Sequence, residues 1–63
     1  MKTTYRCEVT NNRTGEIGVR FVDAVNHWAA AAMVTALQEA PRFIRSNIFA
    51  DQTTGDVIVV TAA

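Results

Sequence analysis

The stretch NHWAAAAMVTALQE, residues 26–39, decides the fold. It is the one segment with helical periodicity: Ala30, Met33, Val34 and Leu37 recur at the i, i+3, i+4, i+7 spacing of a single helical face, and they are the expected core stripe. Four consecutive alanines at 29–32 give high helix propensity. They also keep the helix thin, so a sheet backbone can come close. Asn26 and Asp23 are both capping residue types. Asn26 is preferred, because Ala24 and Val25 can extend the strand before it. Pro41 cannot continue a helix, and the residue before a proline is pushed away from helical dihedrals. The expected helix has about 13 residues and is roughly 20 Å long. A strand of about six residues has the same length, so one helix can cover one face of a small sheet.

The flanks read as strands. Residues 3–10, TTYRCEVT, alternate: Tyr5, Cys7 and Val9 point one way, and Thr4, Arg6, Glu8 and Thr10 the other. Asn11-Asn12-Arg13-Thr14-Gly15 is turn chemistry. In residues 16–22, EIGVRFV, the alternation assigns Ile17, Val19 and Phe21 to the core and Glu16, Gly18, Arg20 and Val22 to the outside. The two runs form a hairpin across the loop at 11–15. Residues 43–50, FIRSNIFA, read as one strand. Ile44 and Ile48 are expected toward the helix, because the opposite phase would bury Phe43 and Phe49 together with Arg45 and Asn47. Residues 56–61, DVIVVT, are β-branched and apolar on both faces. The loops NNRTG and DQTTG resemble one another, each suiting a turn closed by a glycine at positive φ. The expectation is an α+β fold of order ββαββ in one domain, residues 1–63. Its antiparallel-rich four-stranded sheet, ordered 2-1-3-4, carries a single helix on one face, reached through a right-handed crossover. The other face is open.

Composition excludes several function classes. The chain has 63 residues, 49% of them hydrophobic, and zero formal net charge, so generic polyanion binding is not expected. Five of the six basic residues are arginine, which suits planar bidentate contacts. A single cysteine, Cys7, excludes an intramolecular disulfide and fits a reducing cytoplasm. No apolar run has signal-peptide or membrane-span length. His27 is the one histidine, at the helix entrance, whereas Cys7 points inward from mid-strand. Neither a thiol–imidazole pair nor a tetrahedral metal site follows. No enzyme activity, cofactor or metal is expected.

Two surfaces remain. Counting about 100° per residue, Trp28 falls opposite the core stripe, near Ala31, Ala32 and Thr35. That outer face is too apolar for plain solvent and suits a protein contact. The open sheet face offers Arg6, Arg20 and Arg45 with Phe43 and Phe49, which could bind single-stranded nucleic acid by stacking and phosphate contact. A solvated face with charges paired across strands is the simpler account of these residues.

The segments YRCEVT, GVRFVDAVNHWAAAAM and RFIRSNIF together resemble the very small proteins with which lytic phages disable host machinery. The short phage inhibitor of bacterial RNA polymerase and small anti-CRISPR proteins are the nearest in layout. In the former, arginines on the strand after the helix matter for docking, and Arg45 and Arg42 stand at comparable positions here. The resemblance implies a non-enzymatic module in the host cytoplasm that inhibits or modulates a host protein by surface docking, with Arg42 and Arg45 in the contact; the helix-face reading adds Trp28, Ala31, Ala32 and Thr35 to the expected partner-binding set. Small nucleic-acid binding through the open face is the alternative. A homodimer through the helix face or the edge of the last strand is compatible with the first reading.

Overall fold

The computed structural model describes residues 1–35 and 40–63. In chain order they form β1 (Thr3–Thr10), β2 (Ile17–Ala24), α1 (His27–Val34), β3 (Arg42–Arg45), β4 (Ile48–Ala50) and β5 (Val57–Ala62). One antiparallel sheet holds all five strands in the order β2-β1-β5-β4-β3. The α+β class and the one helix on one sheet stand among the described residues. The strand count and order do not: β5, the last strand, lies beside β1.

The expected third strand is a hairpin. Arg45 pairs with Ile48 across Ser46 and Asn47, and Ser46 takes a φ of 49°. The turn is tied to β5: the Asn47 side chain donates to the Val60 carbonyl at 2.7 Å, and Val60 N–H donates to the Asn47 carbonyl at 2.9 Å. Breaking FIRSNIFA in two resolves its awkward phase. Phe49 turns into the core and Ile48 to the opposite face, so no arginine needs burial.

Asn26 caps α1, its side chain accepting from Ala29 N–H at 2.8 Å, a contact type that contributes about 1 kcal/mol. Thr35 is already extended, with φ −80° and ψ 157°, so the helix ends at Val34, earlier than the spacing suggests. Leu37 and the rest of the expected last turn lie outside the described residues. The buried face also differs. Ala30 and Ala31 are fully buried, with Ala29 and Val34 packed beside them, whereas Met33 is exposed. At about 100° per residue this turns the helix by roughly 60° from the expected stripe. The alanines let it approach so closely that the Cys7 thiol on β1 donates to the Ala30 carbonyl, at 3.9 Å. Tyr5, Cys7, Ala24, Phe49, Ile58 and Val60 complete the core from the sheet side.

The two similar loops are twins in structure. Asn11 Oδ1 accepts from Arg13 and Thr14 N–H at 2.8 and 3.0 Å, and Asp51 Oδ1 accepts from Thr53 and Thr54 N–H at 2.8 and 3.1 Å. Gly15 and Gly55 follow at φ 77° and 82°, the left-handed region that a side chain would strain. Asn12 N–H donates to Asp56 Oδ1 at 2.9 Å and joins the loops side by side. Asp51 is buried, so Asp51→Ala is expected to lower stability by about 1–3 kcal/mol through lost loop bonds. Asp51→Asn should cost much less, because Asn11 already performs the same role in the other loop. Thermal melts of the two variants check this.

Candidate interaction face

Directly paired residues of an antiparallel sheet share a face, so register assigns every side chain. Four rows lie on the face away from α1: Ile17, Thr10, Val57, Ala50, Arg42; then Val19, Glu8, Val59, Ile48, Arg45; then Phe21, Arg6, Thr61; then Asp23, Thr4. Sequence alternation placed Ile17, Val19 and Phe21 in the core, and the structure corrects this. The β1–β2 loop spans residues 11–16, one residue longer than expected, so Thr10 pairs with Ile17. A shift of one residue reverses every side chain of a strand. Val22 and Ala24 go under the helix instead, and Ile17, Val19 and Phe21 face outward.

These three side chains are 58%, 42% and 63% exposed. Val57, also exposed, forms a second apolar strip with the half-buried Val59 and Ile48, separated from the first by Thr10, Glu8 and Arg6 of β1. Charge stands at three places. Arg6 Nη1 sits 3.4 Å from Glu8 Oε2 within β1, a partly exposed pair of small energetic weight. Arg42 and Arg45 stand on the far edge strand. At one corner Thr4 Oγ1 donates to Asp23 Oδ1 at 2.6 Å.

The residues expected to bind a partner fall on opposite sides of the molecule. Trp28 is 48% exposed on the helix, beside the partly buried Ala32 and Thr35, whose hydroxyl donates to the Ala32 carbonyl at 2.9 Å. Ala31 belongs to the core. Arg42 and Arg45 lie on the open sheet face. The expected nucleic-acid set is divided as well. Arg6 and Arg45 are on the open face, but Arg20 pairs with Cys7 and Phe43 with Phe49, which puts all three on the helix side, and Phe49 is buried. The Phe43 and Phe49 rings meet edge-on at 5.8 Å, packing against each other rather than offering a stacking platform.

Sequence reasoning missed Ile17, Val19, Phe21, Val57, Val59 and Ile48 as surface. The apolar two-sided reading of DVIVVT was the one signal of an apolar open face, and counting the loop as NNRTGE would have supplied the rest.

The twin loops enclose a cleft of about 370 Å³, lined by Asn11, Arg13, Thr53, Thr54 and Asp56. It holds one carboxylate and one guanidinium and no nucleophile–base pair. Among the described residues no group of His, Cys, Asp or Glu could hold a metal, and no helix is long and apolar enough to cross a membrane. No protein family, curated protein or solved structure matches the chain.

Proposed function

We propose that this chain is a small non-enzymatic binding module that docks its open sheet face on a host protein and inhibits or modulates it, as the resemblance to phage takeover proteins implies. The observation that supports this is the side-by-side exposure of Ile17, Val19 and Phe21 along β2 on an uncovered sheet face, bordered by Thr10, Glu8 and Arg6 of β1. Contiguous exposed apolar surface rimmed by polar residues is characteristic of interaction sites. Arg42 and Arg45 at one margin would supply orientation and selectivity rather than most of the affinity. On this reading the protein acts in the host cytoplasm without a cofactor, and Trp28 lies outside the contact.

The test is capture from nuclease-treated bacterial lysate on immobilised wild type, Phe21→Glu and Trp28→Ala. A central aromatic anchor is worth about 2 kcal/mol or more, roughly thirtyfold in affinity. Phe21→Glu should therefore lose the captured protein while keeping a native circular dichroism spectrum, and Trp28→Ala should retain it. Capture that survives Phe21→Glu would move the site elsewhere. Capture abolished by nuclease alone would favour the nucleic-acid reading.

A further inference from the structure

The two edges of the sheet are defended very differently. β3 is four residues long, follows Pro41, carries Arg42 and Arg45, and has a register irregularity between Phe43 and Arg45. Short length, charge and bulging are the usual devices that stop an edge from pairing with another chain. β2 lacks the short length and the bulge, and its charged residues are Arg20 and Asp23. It runs for eight residues, Ile17–Ala24, pairs with β1 without a register shift, and contains neither proline nor lysine. No strand covers its outer edge among the described residues.

The outward backbone groups of β2 can be identified. Ala63 N–H donates to the Thr4 carbonyl at 2.9 Å, so the even residues of β1 turn their backbone groups toward β5 and the odd ones toward β2. Alternation along the antiparallel ladder then points Gly18, Arg20 and Val22 at β1 and leaves the N–H and C=O groups of Ile17, Val19, Phe21 and Asp23 facing the free edge. The first three are the residues whose apolar side chains stand on the open face.

We infer that β2 pairs antiparallel with β2 of a second copy about a two-fold axis at Val19. The sequence of the strand selects this register. With Val19 opposite Val19 of the second copy, Ile17 meets Phe21 on the open face and Arg20 meets Gly18 on the helix side. An axis at Arg20 sets two arginines directly opposite, which is destabilising, and an axis at Phe21 sets Asp23 against Val19. Of these three registers, the one at Val19 avoids both contacts. About six backbone hydrogen bonds form across the seam. Gly18 and Arg20 become non-hydrogen-bonded partners, the closer kind of pair. A Cβ built on Gly18 meets nothing within 4 Å, so the space over Gly18 is free to receive the arginine. The dimer joins two five-stranded sheets into one and sets the two apolar trios side by side, enlarging the open face without covering it.

Gly18 gives a test that leaves the open face untouched. Gly18→Glu adds an acid opposite Arg20 of the second copy, and Gly18→Lys adds a base. In the single chain the Cβ of either side chain has nothing within 4 Å. Sedimentation equilibrium on wild type and both variants reads the mass against the 6.9 kDa chain. Wild type should reach twice that mass. Because each pair occurs twice per dimer, the dissociation constants of Gly18→Lys and Gly18→Glu should differ by about tenfold or more, with the lysine variant weaker. High salt should narrow the gap. A wild type that stays monomeric at millimolar concentration overturns the inference, as does a dimer that both substitutions affect equally. Lysate capture by Phe21 is read separately, so either result can fail without the other.

Discussion

Ala30→Glu is expected to leave no folded protein at 25 °C. Ala30 has no exposed surface, and its carbonyl lies 3.9 Å from the Cys7 sulfur, so nothing longer than a methyl group fits between helix and sheet. A carboxylate there would be buried without a partner, at a cost of several kcal/mol, on top of about 1–3 kcal/mol for overpacking. A chain of this length has roughly 3–9 kcal/mol in total at the usual stability per residue. Cys7 supplies the readout alongside circular dichroism. Burial pushes its thiol up against a smaller opposing pull from Arg20, so the native thiol should react slowly with alkylating reagents. In Ala30→Glu it should label as fast as in the denatured chain. Met33→Glu is the control: Met33 is 51% exposed, and the change should stay within about 0.5 kcal/mol. Loss of folding in Met33→Glu as complete as in Ala30→Glu would restore the helix face that simple periodicity implies, which holds both residues.

The second large effect belongs to β5. Ile58 is fully buried and pairs with Val9 on one side and Phe49 on the other. Ile58→Ala should lower stability by about 2–5 kcal/mol, through lost transfer energy and the cavity left behind. Its chain neighbour Val57 points to the open face and is exposed, so Val57→Ala should have a small effect. Urea denaturation of the pair measures both. Equal losses would contradict a β5 with one inner and one outer face.

The sequence carried the class of fold and most of its punctuation. Asn26 as the cap, the paired Thr-Gly loops and the alternation of β1 are local features, and local chemistry decides them. Three features were not local. The phase of β2 depended on whether Glu16 belongs to the loop or to the strand, and a hydrogen bond from Asn11 N–H to the Glu16 carbonyl at 2.8 Å puts it in the loop. The rotation of α1 could not be read from spacing, because the helix is apolar all round and offers no polar side to mark its exterior. The break at Ser46-Asn47 lacks the Gly or Pro that usually announces a tight turn, and its anchor is a contact with β5 thirteen residues away. The interaction face was hidden for the first of these reasons. Ile17, Val19 and Phe21 look like core in any alternating strand, and only the register across the loop turns them outward.

The alanines under the helix have a thermodynamic side too. Ordering a buried methionine freezes up to about 2 kcal/mol of rotamer freedom and a leucine about 0.5–1, whereas alanine has no rotamers to lose. By docking on the sheet through Ala30 and Ala31, α1 joins the core with almost no loss of side-chain conformational entropy. The exchange is a modest apolar area for a modest ordering penalty. Met33, on the solvent side, keeps the freedom that a buried position would have taken from it. A chain too short to bury a large core thus reduces what it must immobilise as well as what it can hide.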